Sequence, residues 1–374
     1  MGLKVDIFYC SFGAGHKRAA AFVGDQLGEH EVDRVDVFEA MYPRLYKPIY
    51  ATYADFIRKR NTLFRVYSSL DRNNEKVVPR LNFLRRRLFR YLDNRTLPDV
   101  FVATYSIAAT LLNDYIESRA LSIPLVTCIT DFMPHTHWMN PETDLYLVAS
   151  GYTESKLRQN YIPRNRIMRF GLAAADFKFT LRTDIKPDAA VTVSGGGLGL
   201  LPDAPTFYTT IRDKFQRPVN IVTGKNHKLT ASLARMFDND PSIRVMGYVH
   251  DMEALWRETG IFIGKAGGLS TYEAIAHGCP IFYMEPFLTQ EKKNATFIDT
   301  SGIGAPLNRV LASDITPEQL LDFAAARENM FNEMFAMHPE DLSERLERVV
   351  ERKRREAELA DYYDRAGYRR GVAL

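Results

Sequence analysis

One glycine-rich stretch joins an anion-binding turn to a carboxylate that could reach a sugar. Residues 264–274 read GKAGGLSTYEA, after an apolar segment typical of a buried strand and at the start of a predicted helix. Glycines let backbone amides approach an anion, and the helix directs its positive N-terminal end at the same place. Glu273 falls one to two turns into that helix, where its carboxylate could accept hydrogen bonds from a ribose diol. We interpret the stretch as a nucleotide-sugar site; the alternative is a tight turn with a solvent-facing glutamate.

A histidine near the start of the first predicted helix could act as a base. Residues 11–17 read SFGAGHK, which is not a P-loop, and Arg18 follows where a dinucleotide fingerprint needs a third glycine. His16 lies in the first helical turn, where the positive end of the helix disfavours an imidazolium ion. A neutral imidazole at the mouth of a cleft is suited to accept a proton from an attacking hydroxyl. The alternative is a histidine hydrogen-bonded for structure alone.

Three consecutive glycines follow another predicted strand and suit a turn around a diphosphate. Residues 194–199 read SGGGLG, and backbone amides in such a turn can surround an anion. A dinucleotide-binding loop is a weaker interpretation, because Leu200 stands at the third glycine position and no acidic residue ends the next strand. A plain turn is the third alternative.

Polar and aromatic residues follow a further strand end in residues 130–138, TDFMPHTHW. The two histidines lie at i and i+2, but no third ligand has a useful spacing, so we expect no metal site. Asp131 and His135 are better interpreted as contacts to an acceptor hydroxyl or as supports for His16. Trp138 is either part of this acceptor side or a core residue.

Two more segments after strand ends could contact a nucleotide sugar. In residues 247–252, GYVHDM, Asp251 is a plausible helix N-cap, and backbone groups of the turn could pair with the edge of a base. In residues 286–294, PFLTQEKKN, polar side chains could reach the hydroxyls of a sugar.

Apolar segments alternate with amphipathic helical segments, which predicts α/β domains with parallel, doubly wound sheets. At 374 residues, two domains are the natural expectation. We predict an N-terminal domain at 1–172, a linker at 173–188, a C-terminal domain at 189–340 and a charged C-terminal helix at 341–374. Two such domains imply a cleft at the carboxyl ends of their strands. The predicted strands are residues 5–10, 32–38, 100–103, 125–129, 145–149 and 167–170, then 190–194, 219–223, 243–246, 261–263 and 281–284.

Composition indicates a globular protein in a reducing compartment. Hydrophobic residues make up 46% and charged residues 25%, values typical of soluble proteins. No apolar run approaches the roughly 20 residues of a membrane helix, and the N-terminus has no cleavable-signal pattern. The three cysteines, Cys10, Cys128 and Cys279, are widely spaced in or beside apolar runs, so we expect buried, reduced thiols and a cytoplasmic location.

One segment is much more basic than the rest of the chain. Residues 44–95 contain 14 Lys and Arg but 4 Asp and Glu, interleaved with aromatic residues. A cationic, aromatic-rich helical segment could lie on an anionic membrane surface. The alternatives are a solvated helix face or a nucleic-acid surface; no recognised binding module accompanies the charges, so we expect no nucleic-acid partner. The candidate membrane-binding residues are Arg58, Lys59, Arg60, Arg85, Arg86 and Arg87.

Taken in order, these motifs resemble those of the GT-B glycosyltransferases that include monogalactosyldiacylglycerol synthase, the processive diacylglycerol glucosyltransferases and the lipid II-forming N-acetylglucosaminyltransferase. The resemblance runs from residue 5 to about residue 307, and its specificity lies in the ordered set. The motifs are Gly13-Ala14-Gly15-His16, Thr130-Asp131 with His135 and Trp138, Ser194-Gly195-Gly196-Gly197, Gly247-Tyr248-Val249, Lys265-Ala266-Gly267-Gly268 with Glu273, and Gln290-Glu291 with Asn294.

The resemblance implies that UDP binds the C-terminal domain, with Val249 at the uracil, Glu273 at the ribose, and Gln290 and Glu291 at the donor sugar. It also implies an inverting displacement that gives a β-glycoside without a metal or other cofactor, because amides and a helix dipole stabilise the leaving diphosphate. The implied donor-binding residues are Gly196, Gly197, Val249, Lys265, Gly267, Gly268, Glu273, Gln290 and Glu291. The implied catalytic residues are His16 and Asp131, and the implied acceptor-side residues are Gly15, His135 and Trp138.

One loop departs from the family pattern. The glycolipid synthases usually carry Pro-Gly next to the glutamine, whereas residues 287–289 here read FLT. The departure indicates a donor-sugar pocket that differs from theirs.

The sequence therefore predicts a peripheral enzyme of the inner leaflet that transfers a hexose from a UDP-sugar to a lipid hydroxyl, with diacylglycerol the first choice. The enzymatic alternative is a polyprenyl-linked or soluble acceptor. A non-catalytic nucleotide-sugar or lipid-binding protein is disfavoured because both His16 and Glu273 are present. An NAD-dependent oxidoreductase is disfavoured by the missing third glycine.

Overall fold

The computed structural model describes residues 2–58, 81–171, 189–286, 288–314 and 341–365. Within these ranges the chain forms two parallel sheets of six strands each, with helices between successive strands. The first sheet contains β1 (Lys4–Tyr9), β2 (Glu31–Asp36), β3 (Val100–Ala103), β4 (Leu125–Ile129), β5 (Thr143–Val148) and β6 (Ile167–Arg169). The second contains β7 (Ala190–Ser194), β8 (Val219–Val222), β9 (Ile243–Met246), β10 (Thr259–Gly264), β11 (Ile281–Tyr283) and β12 (Gly304–Pro306).

The helices of the described residues follow in chain order. Those that accompany the first sheet are α1 (Ala14–Asp25), α2 (Val37–Met41), α3 (Tyr46–Arg58), α4 (Leu81–Asp93), α5 (Ser106–Arg119) and α6 (Gly151–Gln159). Those that accompany the second are α7 (Pro205–Phe215), α8 (His227–Met236), α9 (Met252–Glu258), α10 (Gly268–Ala276), α11 (Thr289–Thr300) and α12 (Leu307–Leu311). The last is α13 (Leu342–Arg365).

Each sheet reverses its direction of winding at one point. The strand order is β2-β1-β3-β4-β5-β6 in the first sheet and β12-β11-β10-β7-β8-β9 in the second, so the order reverses between β1 and β3 and between β10 and β7. In doubly wound sheets, the loops after the strands on either side of this point diverge and leave a crevice for ligands. The fold therefore opens a crevice beyond each of these strand pairs.

All eleven predicted strands are present in the structure, with small differences at their ends, and the structure has one further strand. The segment predicted to continue as a strand to residue 38 stops at Asp36, because its carboxylate accepts hydrogen bonds from the N–H groups of Phe38 (3.0 Å) and Glu39 (3.3 Å) and caps α2. The edge strand β12 was not predicted, since its three residues, Gly-Ala-Pro, form no apolar run. The predicted linker lies outside the described residues.

The C-terminal helix α13 is present, and it packs back onto the first sheet. Leu346 and Val350 on one face of the helix are buried in a hydrophobic cluster that includes residues of the first domain. On its polar side, Lys353 pairs with Asp144 at 3.3 Å, and Arg354 pairs with Asp99. The helix therefore packs against the N-terminal domain, although it follows the second sheet in the sequence.

An aromatic stack joins the two domains beneath the cleft. Phe132, from the loop after β4, lies between Tyr272 and Phe297 of the second domain, with ring centroids 3.9 and 4.0 Å apart. Asn294 accepts a hydrogen bond from the N–H of Phe132 (3.2 Å) and donates one to the carbonyl of Ala266 (3.1 Å). Buried aromatic pairs of this kind stabilise by dispersion and area burial. The stack and the Asn294 hydrogen bonds therefore hold the carboxyl-end edges of the two sheets facing each other.

The three cysteines are buried free thiols, as predicted. Burial raises the pKa of both the Cys10 and the Cys128 thiols, so these groups stay protonated and act as small apolar core residues.

Candidate functional site

A cleft of about 560 Å³ lies between the two sheets, at the carboxyl ends of their strands. Its walls come from both domains, as expected when two switch points face each other. The lining includes every predicted donor-binding residue: Gly196, Gly197, Val249, Lys265, Gly267, Gly268, Glu273, Gln290 and Glu291. On the opposite wall it includes Gly15, His16 and Asp131.

Strand register brings the two glycine-rich turns together. Strands β7 and β10 are neighbours, and Ser194 lies opposite Gly264 at the end of the ladder. The chain therefore leaves both strands side by side. Gly196 has a φ of +67°, a left-handed conformation that glycine adopts without strain.

The start of α10 is pressed against the other domain. A Cβ on Gly268 would lie 1.9 Å from the carbonyl oxygen of Thr130, so only glycine fits there. The first amides of any helix lack intrahelical partners, and Gly268, Leu269 and Ser270 at this helix start all line the cleft. These N–H groups, with the positive end of the helix dipole, make a site suited to a phosphate.

His16 is clamped by Thr104, a residue that the sequence did not single out. The Nδ1 atom of His16 lies 2.8 Å from the main-chain oxygen of Thr104, and the Thr104 hydroxyl donates to the main-chain oxygen of His16 at 2.9 Å. Because a carbonyl can only accept, this contact assigns the proton to Nδ1 and leaves a lone pair on Nε2. One sequence feature could have indicated Thr104: it directly follows β3, which pairs with β1 where the strand order reverses.

Burial, rather than the helix dipole alone, keeps His16 neutral. Desolvation lowers the pKa of His16 below its ordinary value, while the charge of Asp131 and the bond to Thr104 act in the opposite direction. The ring of Tyr105 packs against the imidazole with centroids 5.1 Å apart. A neutral histidine with a free Nε2 in a cleft has the geometry of a general base.

Asp131 shares this environment but makes its hydrogen bond elsewhere. Burial raises the pKa of the Asp131 carboxyl, and the neighbouring His16 works against that rise. Its Oδ2 accepts a hydrogen bond from the indole Nε1 of Trp138 at 3.2 Å. Asp131 therefore acts on His16 through its charge, and Thr104 orients the imidazole.

Two predicted acceptor-side residues lie behind the cleft wall. Trp138 is fully buried, and its indole N–H donates to Asp131 behind the cleft. His135 is absent from the lining of the cleft. Burial and the nearby His137 lower the pKa of His135 to about 4, so it is neutral at physiological pH. Among the described residues, no group of three His, Cys, Asp or Glu side chains is arranged to hold a metal ion.

Three aromatic side chains also line the cleft on the side of the N-terminal domain. Phe12, Tyr53 and Tyr105 line the cleft beside His16. The Phe12 and Tyr53 rings lie 4.5 Å apart, so α3 contributes directly to the wall. The surface beside His16 on this side of the cleft is therefore largely apolar. Sequence analysis placed Tyr53 only within a membrane-binding segment.

Two carboxylates among the predicted donor-binding residues are paired with cations that also line the cleft. Glu273, with its side chain only 4% exposed, contacts the guanidinium of Arg18 from the opposite domain. Burial raises the pKa of Glu273, and Arg18 opposes that rise. Glu291 pairs with the Lys265 ammonium at 3.1 Å. The alternative of a solvent-facing Glu273 is therefore wrong.

The turn before α9 has the predicted cap. The Asp251 carboxylate accepts a hydrogen bond from the N–H of Ala254 at 3.0 Å, as an N-cap does. This cap fixes the turn that contains Val249, and Val249 lines the cleft.

The predicted membrane-binding residues divide into three groups. Arg85 is engaged with Asp114, at 3.0 Å from its Nε, so it is not a free surface charge. Arg86 and Arg87 are exposed. Lys59 and Arg60 lie outside the described residues, and Arg58 is the last residue of α3. In the described part of the chain, no helix has the length and apolarity to cross a bilayer.

Two family models cover most of the chain. Residues 16–173 match the monogalactosyldiacylglycerol synthase model, and residues 209–352 match the C-terminal domain of glycosyltransferase family 28. The processive diacylglycerol beta-glucosyltransferase of Bacillus cytotoxicus is 25% identical over 315 residues, covering 80% of each chain.

Solved glycosyltransferase structures share the fold. Acinetobacter baumannii MurG superposes with a TM-score of 0.54 at 14% identity, covering 87% of this chain and 94% of its own. The UDP complex of Arabidopsis thaliana UGT89C1 superposes with a TM-score of 0.55 at 13% identity, covering 94% and 99%. The two family matches and the two facing sheets identify the chain as a GT-B glycosyltransferase, similar in its first domain to monogalactosyldiacylglycerol synthase and in its second to glycosyltransferase family 28.

Proposed function

We propose that this enzyme transfers a hexose from a UDP-sugar to the hydroxyl of a lipid, with diacylglycerol as acceptor. The observation that carries the proposal is the arrangement of one cleft, with a neutral histidine on one wall and a phosphate-suited helix start and buried carboxylate on the other. The relatives named diacylglycerol glucosyltransferases support the choice of acceptor.

The donor lies along the C-terminal wall in this proposal. Main-chain groups near Val249 bind the uracil, and Glu273 accepts hydrogen bonds from the ribose hydroxyls. The diphosphate lies over the adjacent turns that contain Gly196 and Gly267. Gln290 and Glu291 bind the hexose.

The reaction is a single displacement. The Nε2 of His16 accepts the proton of the acceptor hydroxyl while its oxygen bonds to the anomeric carbon. The bond from that carbon to the diphosphate oxygen breaks, and UDP leaves with the electron pair. An α-linked donor therefore gives a β-glycoside. The amides at the start of α10 and the Lys265 ammonium offset the charge of the leaving group, and no cofactor other than the donor takes part.

A lipid acceptor reaches His16 along the aromatic wall. Phe12, Tyr53 and Tyr105 give this side of the cleft an apolar surface. The same helix that carries Tyr53 belongs to the basic segment, so membrane contact and acceptor entry involve neighbouring surfaces. We propose that the enzyme docks peripherally on the cytoplasmic face of the membrane.

We expect the purified protein to release UDP from one UDP-hexose in a manner that depends on diacylglycerol. The assay measures UDP release from UDP-glucose, UDP-galactose and UDP-N-acetylglucosamine, with diacylglycerol, a polyprenyl phosphate sugar or no acceptor in mixed micelles. Release only with the polyprenyl acceptor would move the acceptor assignment to the alternative class. No release with any donor would contradict the proposed reaction.

We also expect the double variant Arg86→Gln/Arg87→Gln to bind anionic vesicles about 10- to 30-fold more weakly, since each basic group near such a surface contributes about 1 kcal/mol. Phe83, whose ring centroid lies 5.8 Å from the Arg87 guanidinium, is 61% exposed, so an apolar group accompanies these charges. Vesicle co-sedimentation at low salt measures the effect.

The matched control is Arg158→Gln/Arg235→Gln, which removes the same charge from exposed positions on other helices. Equal weakening by both double variants would mean that net charge alone governs binding, and Arg86 and Arg87 would then not form a docking surface.

A further inference from the structure

Arg18 is a charged cleft residue to which the reaction described above gives no role. It lies in α1, two residues after His16, and lines the cleft from the N-terminal wall. Its guanidinium contacts the Glu273 carboxylate of the opposite wall. The Arg18 side chain is 44% exposed, whereas that of Glu273 is 4% exposed. The arginine is therefore free to move into the cleft, and the carboxylate is not.

A ribose that binds Glu273 must compete with Arg18 for the same carboxylate. Neutral hydroxyls are weaker partners for a carboxylate than a guanidinium, whose planar fork matches carboxylate geometry. A nucleoside alone therefore breaks an ion pair and leaves the guanidinium without its partner. A ligand that also supplies an anion beside Arg18 replaces the contact that was lost.

The surroundings of Arg18 favour an anion between the two walls. The starts of α1 and α10 approach each other, since a Cβ on Gly15 would lie 3.8 Å from the Cβ of Leu269. Both helix starts line the cleft, as does Lys265. Two positive helix ends, an ammonium and a guanidinium converge where the glycine-rich turns suit a phosphate.

We propose that Arg18 binds the diphosphate of the donor, transferring to it from Glu273 when the ribose takes its place on that carboxylate. The proposal rests on the proposed function, because it assumes a nucleoside diphosphate sugar on the C-terminal wall. Arg18 then contributes a positive charge from the N-terminal domain to the leaving group. Lys265, paired with Glu291 at 3.1 Å within the C-terminal domain, supplies a second positive charge to the leaving group.

The exchange makes the enzyme selective for a diphosphate over a nucleoside. Only a ligand with both a diol and a diphosphate satisfies Glu273 and Arg18 together. Removing Arg18 should therefore weaken UDP binding and strengthen uridine binding. We expect the ratio of UDP to uridine affinity to fall about 10-fold in Arg18→Gln, the effect of losing one charge-assisted contact.

Isothermal titration calorimetry of the full-length protein with UDP and with uridine tests this. Lys17→Gln is the matched control, because it removes one positive charge from the adjacent, exposed position of the same helix, outside the cleft lining. Its affinity ratio should equal that of the wild type. Arg18→Lys keeps the charge without the fork and should recover most of the UDP affinity. Equal melting temperatures establish that the variants are folded.

Two results would overturn the assignment of Arg18. If Arg18→Gln bound UDP and uridine more tightly by the same factor, Arg18 would be only a competitor for Glu273. If neither affinity changed, Arg18 would not meet the ligand at all. A wild-type protein that bound neither ligand would instead overturn the UDP-sugar donor itself, which is a distinct failure.

Discussion

Replacing His16 with alanine should lower turnover about 100- to 10,000-fold, the usual contribution of a positioned general base. The affinity for UDP should stay near that of the wild type, because no proposed contact to UDP involves His16. The bond from Nδ1 to the Thr104 carbonyl leaves Nε2 as the atom that accepts the proton. Initial rates at saturating donor, together with calorimetric UDP affinity, separate the two quantities.

His227→Ala is the matched control for this variant. His227 is also in the first turn of a helix, but it is exposed and lies outside the cleft lining. Its turnover should be that of the wild type. Full turnover in His16→Ala would mean that another group is the base, and Asp131 would be the next to test.

The pH dependence of the wild-type rate also tests whether His16 is the base. A base acts in its unprotonated form, so the rate is lost as the pH falls through the pKa of His16. Burial lowers that pKa, which means that the acid-side loss should occur below the ordinary histidine range and that the rate should be flat around neutral pH. A loss of rate centred above the ordinary histidine value would contradict a neutral His16.

The second large effect is expected for Glu273→Ala, which should weaken UDP binding about 100-fold. Hydrogen bonds to a charged group contribute about 1.5–3 kcal/mol each, and displacement of Arg18 from the carboxylate offsets part of that gain. The variant should fold, because Arg18 is 44% exposed and can be hydrated once its partner is gone. Calorimetry with UDP measures the change.

A modified ligand makes this test specific to the ribose. Wild-type protein should bind 2′,3′-dideoxy-UDP much more weakly than UDP, and Glu273→Ala should bind the two ligands equally. Discrimination that survives in the variant would place the ribose away from Glu273, and the proposed donor orientation would then be wrong.

Much of the fold could be predicted because its signals are local. The strand cores are short apolar runs such as residues 125–129 and 190–194, which are buried on both faces of a parallel sheet. Helix starts were recognisable from caps such as Asp251. Strand β12 was missed because its three residues pair at the sheet edge without an apolar pattern of their own.

The sequence by itself determined which loops line the cleft. In a parallel sheet, every segment that follows a strand leaves from the same edge, so motifs at residues 13–16, 194–199 and 264–268 had to meet the same side of their sheets. That is why His16, Gly196 and Glu273 are all found in one cleft. The burial of Trp138 and the contact between Arg85 and Asp114 could not be predicted, since position in a loop or helix does not specify which way a side chain turns.

Only the tertiary structure decided the partners of these residues. The carbonyl of Thr104, which is 88 positions from His16 in the sequence, places the imidazole proton on Nδ1. The indole of Trp138 points inward and donates a hydrogen bond to Asp131. Arg18 meets Glu273 across the domain boundary. The contact between Arg18 and Glu273 depends on how the two complete domains pack, which involves the stacking of Phe132 between Tyr272 and Phe297. No local pattern of residues encodes the separation of the two domains. Apolar periodicity specifies what a segment buries, whereas hydrogen bonds and ion pairs between segments require their final positions in space.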